Sequence, residues 1–185
     1  MRSVIDRLVV PLGKAGVSPN QVTICGLILS LPTAILIASG MHSWAGLAVI
    51  AASLFDMLDG SLARVTNKES EFGAFLDSLL DRYVEICYYG GLIWFYSSNV
   101  DEMNMVVLSL ACLGGSVMVS YSRARAEGLG HDAKVGWLQR PERILILSLA
   151  LLIGGWVLEL SLWFIAIATN VTVIQRLLHV RHQMK

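Results

Sequence analysis

The stretch "FDMLDGSLARVTNKESEFGAFLDSLLDR", residues 55–82, places Asp56, Asp59, Asp77 and Asp81 inside or beside the most apolar segments of a chain that is 55% hydrophobic. Asp56 and Asp59 are three residues apart and Asp77 and Asp81 four apart, so on helices each pair shares a face. A charged carboxylate in lipid costs about 2.5 to 3.5 kcal/mol on insertion scales, and four left unpaired would cost on the order of 10 kcal/mol. Arg64 and Arg82 can pair with two of them at most. A divalent cation supplies the missing charge, and hard oxygen donors without His or Cys select magnesium, manganese or calcium over zinc. Such clusters suit phosphoryl transfer, in which two ions hold the attacking and leaving oxygens. The plainer alternative is a set of ion pairs and helix caps in a transporter or other polytopic protein.

The surrounding composition is that of a membrane protein. Mean hydropathy is +0.64 and only 15% of residues are charged, against about a quarter in soluble domains. No charged residue lies between Lys14 and Asp56, a run too long for one crossing of roughly 20 residues. It folds back at Ser39-Gly40-Met41-His42-Ser43, where small residues punctuate two apolar runs. Further apolar runs cover about 72–96, 103–121, 144–158 and 160–180, which predicts six crossings in a single domain, 1–185, with Glu159 separating the last two. The segment before Lys14 lacks the continuous apolar core of a signal peptide. It reads as an interfacial amphipathic helix, with Val4, Leu8 and Pro11-Leu12 toward the headgroups and Arg2, Asp6 and Arg7 toward water.

Basic residues test this layout, because short cytoplasmic loops retain Lys and Arg. Of the 14 Lys and Arg residues all but Arg82 fall on one side, while the opposite loops carry Asp101, Glu102 and Glu159. Both termini and the Asp cluster are therefore expected at the cytoplasmic face of the cell membrane, among membrane lipids and with no nucleic-acid partner. Cys25, Cys87 and Cys112 have no metal or redox spacing and read as small packing residues.

The pattern Asp56-x-x-Asp59-Gly60-x-x-Ala63-Arg64, eight residues, Gly73, three residues, Asp77, three residues, Asp81 resembles the complete signature of the CDP-alcohol phosphotransferase family. The resemblance implies an all-α integral membrane fold, with an N-terminal interfacial helix, six transmembrane helices and a homodimeric assembly. It also implies transfer of a substituted phosphate from a CDP-linked lipid donor to an alcohol, with release of CMP. By the same resemblance Asp56, Asp59, Asp77 and Asp81 would surround two Mg2+ ions, with Mn2+ as a substitute, and Asp81 would take the proton from the attacking hydroxyl. Gly60, Arg64 and Ser70 would contact the donor nucleotide. "SPNQVT", residues 18–23, resembles the family's entry to the first helix, with Pro19 and Asn20 meeting the donor; the same residues also suit a Ser18 cap followed by Pro19.

The acceptor is expected to be read by the polar connection "SRARAEGLGHDAKVGWLQRPER", residues 122–143, in which Pro141 suits a helix's first turn. "SYSRARAE" at 120–127 followed by "RPER" at 140–143 resembles the subgroup that uses inositol phosphate, the phosphatidylinositol-phosphate synthases and their archaeal archaetidyl counterparts. A phosphorylated acceptor needs a second anion site, and Arg offers bidentate donors for one. Ser120, Arg123, Arg143 and Arg176 are assigned to it, Arg123 standing where the subgroup is expected to carry lysine. Arg125, Lys134 and Arg181 read as charges of a cytoplasmic loop. Glycerol 3-phosphate as acceptor, CDP-inositol as donor for a diinositol product, and a cation transporter are the rival readings. The transporter is disfavoured because Arg64 would repel the cargo.

Overall fold

The computed structural model describes residues 9–98 and 100–184. Six long helices are present among them: α1 (Pro19–Ala38), α2 (His42–Val65), α3 (Glu71–Ser97), α4 (Met103–Glu127), α5 (Arg140–Ile153) and α6 (Gly155–Gln183). A short 3-10 turn, Val100–Glu102, joins α3 to α4, and no strand occurs among the described residues. The all-helical expectation holds. Of the six helices, α1, α2, α4 and α6 are long and apolar enough to cross a membrane. Asp77, Asp81, Arg82 and Glu85 lower the hydropathy of α3, and α5 has only 14 residues, about 21 Å at 1.5 Å per residue against a hydrocarbon core of about 30 Å.

Local chemistry sets several boundaries. Ser18 caps α1 in a reciprocal box with Gln21, and Pro19 occupies the first turn, where its missing N–H costs nothing. The turn between α1 and α2 falls at residues 39–41, as the Gly and Ser punctuation predicts. Pro141 lies in the first turn of α5, again as expected.

Two boundaries depart from the sequence reading. The break between α5 and α6 falls at Gly154-Gly155, not at Glu159, which lies inside α6. Both glycines have positive φ, 74° and 53°, a region that residues with a Cβ avoid. The second departure is that α4 runs on to Glu127, so Arg123 and Arg125 are helical and the connection to α5 shrinks to residues 128–139.

The N-terminal helix expected from the sequence lies mostly outside the described residues. Its last part, residues 9–14, is helical. Val9 is buried against Val22 and Leu62, and Leu12 packs on the same cluster. Leu12 is thus partly buried against the bundle, while Pro11 is exposed. Of the cysteines, only Cys112 is buried, Cys25 being exposed and Cys87 between.

The bundle packs α1 against α2 and α3, α2 against α5, α3 against α4, and α4 and α5 against α6. Tyr88, Tyr89, Leu92, Cys112, Leu147, Leu151, Leu158 and Leu162 form the main core. At one end His42 stacks edge-on against Phe95 with ring centroids 4.5 Å apart, and Ser43 donates to the Leu152 carbonyl at 3.2 Å. Trp44, Trp94 and Trp156 are 64–74% exposed at this end, as aromatic residues are at a membrane interface. The carboxylates lie toward the other end: Asp56 is twelve residues from Trp44 along α2, about 18 Å at 1.5 Å per residue.

Candidate active site

Helices α2 and α3, joined by residues 66–70 and both packed on α1, bring the carboxylates together, because Asp56 and Asp59 lie in the second half of α2 and Asp77 and Asp81 in the first half of α3. Asp56, Asp59 and Asp77 each offer a carboxylate oxygen within 4.8 Å of the others. Two neighbours orient Asp59: the Thr23 hydroxyl donates to Oδ2 at 2.8 Å and the Gly60 N–H donates to Oδ1 at 2.6 Å. Three clustered oxygens with no His or Cys among them fit a hard divalent cation. Beside them a cavity of about 30 Å3, lined by Thr23, Asp56, Asp59, Asp81 and Arg140, is large enough for a water or a bare ion.

Asp81 departs from the expected symmetric arrangement. Its Oδ1 pairs with Arg140 Nη2 at 2.7 Å and its Oδ2 lies 3.4 Å from Arg82 Nη1. The other end of the Arg140 guanidinium, Nη1, reaches Asp56 Oδ2 at 2.7 Å. Arg140 thus ties α5 to both α2 and α3. The sequence reading included Arg140 in the "RPER" stretch of the resemblance but gave it no role of its own, because nothing local distinguishes it there.

The residues assigned to the donor do line one cavity. Pro19, Asn20, Gly60, Arg64 and Ser70, with Thr23, Lys68 and Asp77, enclose about 230 Å3 between α1, α2 and the start of α3. Ser70 also has a local task the sequence reading did not assign: its hydroxyl caps α3 by accepting from the Gly73 N–H at 3.0 Å. A Cβ on Gly73 would lie 3.0 Å from Ser70 Oγ and 3.3 Å from Asn20 Oδ1. Only glycine leaves this wall open. Arg64 is exposed and bonds Ser61 Oγ at 3.0 Å.

The residues assigned to the acceptor line a second, larger cavity. Ser120, Arg123, Arg143 and Arg176 enclose about 670 Å3 together with Asp77, Asp81, Arg82, Glu127 and Arg140. Asp77 belongs to both cavities and Asp81 to the second, so the carboxylates stand where the two spaces meet. Each acceptor residue has a protein partner. Arg82 Nη2 donates to Ser120 Oγ at 2.7 Å, and Arg123 Nε to Glu127 at 2.9 Å. Arg176, buried on α6, donates from Nε to the Val135 carbonyl at 2.9 Å and from Nη1 to that of Val119. Arg143 Nη2 donates to Glu85 at 2.8 Å, while its Nε and Nη1 have no partner among the described residues.

Glu85 is the other site residue the sequence reading did not single out; Arg82, expected there as a partner for one of the carboxylates, does lie 3.4 Å from Asp81 Oδ2. For Glu85 a signal existed: it follows Asp81 by four residues, continuing the acidic face of α3.

Comparison with known proteins agrees with this geometry. The model of the CDP-alcohol phosphatidyltransferase family matches residues 16–174. The phosphatidylinositol phosphate synthase of Mycobacteroides abscessus is 39% identical over 174 residues, covering 91% of this chain and 79% of that protein. The crystal structure of Mycobacterium tuberculosis phosphatidylinositol phosphate synthase with CDP-DAG bound superposes with a TM-score of 0.90 at 31% identity, covering 96% of this chain and 94% of the other. The same enzyme in complex with manganese and citrate gives 0.88 at 31% identity, over 97% and 88%. With its signature carboxylates gathered between two helices and its length matched almost throughout, the chain belongs to the CDP-alcohol phosphatidyltransferase family.

Proposed function

We propose that this chain is a multi-pass membrane phosphatidylinositol phosphate synthase, transferring the phosphatidyl (or archaetidyl) group of a CDP-linked lipid to inositol phosphate with release of CMP. One observation carries the reading: a cavity fit for a nucleotide and an arginine-walled cavity meet at Asp77, next to Asp81. A donor lying along Pro19, Asn20, Gly60, Arg64 and Ser70 would put its pyrophosphate against the carboxylates. An acceptor whose phosphate lies against Ser120, Arg123, Arg143 and Arg176 would point its free hydroxyl the same way. Asp81 takes the proton from that hydroxyl. The oxygen attacks the phosphorus bearing the lipid, and the bond from that phosphorus to CMP breaks.

Asp56, Asp59, Asp77 and Asp81 are the residues that would hold divalent cations, two Mg2+ in this reading. Bound there, the ions would neutralise the pyrophosphate and stabilise the departing CMP. The chain's own residues do the rest. Thr23 and the Gly60 N–H orient Asp59, while Arg82 steadies Ser120. The active site and both termini face the cytoplasm in this reading, supported by the basic residues at the end that holds the carboxylates. A homodimer belongs to the same reading and is supported by the family resemblance alone.

The test is CMP release from CDP-diacylglycerol by the purified protein with magnesium and each of inositol phosphate, free inositol and glycerol 3-phosphate. Inositol phosphate should be used best, since its phosphate adds charge-assisted bonds to the arginine wall that free inositol cannot make. Faster turnover with glycerol 3-phosphate would move the chain to the phosphatidylglycerophosphate synthases.

A further inference from the structure

Glu85 lies one turn beyond Asp81 on α3 and is 1% exposed. Its Oε1 accepts a 2.8 Å bond from Arg143 Nη2 and lies 3.9 Å from Arg140 Nε, while its Oε2 has no partner among the described residues. Arg143 is equally buried in the wall of the larger cavity, and its Nε and Nη1, closed to solvent, have no partner among the described residues. Taking two charges out of water is costly and is offset only when the remaining polar atoms are satisfied. In this pair they are not. Stability alone therefore gives a weak reason for it, and the unbonded nitrogens of Arg143 point to an anion that completes the set.

We propose that Glu85 is a positioning residue for the acceptor: by holding one nitrogen of Arg143 it fixes the guanidinium so that the remaining N–H groups meet the acceptor phosphate, which sets the preference for a phosphorylated alcohol. The inference rests on the reading of the larger cavity as the acceptor site. As a bare charge Glu85 would repel a phosphate, but Arg140 and Arg143 lie against it and offset that charge. What remains is geometry. An arginine fixed before binding loses less rotamer freedom when the anion arrives.

The test compares Glu85→Ala and Glu85→Gln with the parent as full-length, magnesium-loaded protein. Glu85→Ala removes the hold, whereas Glu85→Gln keeps an oxygen that can accept from Arg143. Glu85→Ala should raise the KM for inositol phosphate at least about tenfold, the scale of one charge-assisted bond. The KM for CDP-diacylglycerol and kcat at saturation should change little, and Glu85→Gln should show a smaller rise in the acceptor KM. Parent-like acceptor KM in both variants, with only a lower melting temperature, would show that the pair serves the fold alone. A fall in that KM in Glu85→Gln would show a repelling charge without a positioning role. Should Glu85→Ala not fold, Glu85→Gln decides: a rise of about threefold or more supports the inference, and anything less overturns it. If the parent does not use inositol phosphate at all, the proposed function fails separately. Calorimetry with inorganic phosphate then reads the arginine site without turnover: weaker binding in the Glu85 variants keeps the positioning role, and unchanged binding removes it.

Discussion

Arg140 Nη2 lies 2.7 Å from Asp81 Oδ1, and the same guanidinium reaches Asp56 at 2.7 Å. The first residue of α5 is therefore the resident cation of a carboxylate cluster built on α2 and α3. Without it, Arg82 would be the one cation paired with Asp56, Asp59, Asp77 or Asp81 among the described residues.

Arg140→Gln should consequently lower the melting temperature of the metal-free protein, because removing one partner of a buried pair costs about 3 to 5 kcal/mol and less where water reaches it. Added magnesium or manganese should restore more of that loss than it adds to the parent, since a ligand that binds only the folded state stabilises it by mass action. Thermal unfolding with and without metal reads both effects. An identical metal-induced shift in variant and parent would show that Arg140 does not balance the cluster's charge.

Asp81 borders the acceptor cavity and is the carboxylate that stands apart from the three-oxygen cluster. That position suits a proton acceptor. Asp81→Asn should lower turnover by at least about a hundredfold, the usual scale for a lost general base, while CDP-lipid binding measured by calorimetry persists. Near-parent turnover in a folded Asp81→Asn protein would remove the base assignment.

How much of this was legible beforehand depended on distance along the chain. The Ser18 cap, Pro19, the turn at Gly40 and the carboxylate spacing are local features, decided within a helical turn or two, and each appears where expected. The end of α5 was misplaced because Glu159 offered a charge where the run of apolar residues seemed otherwise unbroken, whereas the backbone breaks at two glycines with positive φ. The roles of Arg140 and Glu85 escaped notice because they come from partners 84 and 58 residues away, respectively, once α2, α3 and α5 have packed. Spacing cannot reveal such a pair.

The proposed sidedness, argued from the distribution of basic residues, has a direct chemical test. In a background with the native cysteines replaced, Cys introduced at Lys68 or Lys134 should react with an impermeant maleimide only from the cytoplasm, and Cys at Ser98 only from outside. All three positions are exposed, the first two at the carboxylate end and Ser98 at the end that carries Trp44 and Trp94. Labelling of positions 68 and 98 from one side would be incompatible with α3 crossing the membrane.

Gly73 separates donor binding from fold stability. It lies in the first turn of α3, where its N–H bonds the Ser70 cap and where a Cβ would approach Ser70 Oγ to 3.0 Å and Asn20 Oδ1 to 3.3 Å. Both neighbours line the smaller cavity. Gly73→Ala should favour the helix, by up to about 1 kcal/mol in an exposed interior and less in the first turn. The added methyl, however, would push Asn20 and Ser70 away from the positions they are proposed to hold against a nucleotide. The melting temperature should therefore hold or rise while the KM for CDP-diacylglycerol increases several-fold and the KM for inositol phosphate stays near the parent's. A variant that loses stability and affinity for both substrates together would show that Gly73 serves the packing of α1 on α3 and not the donor wall.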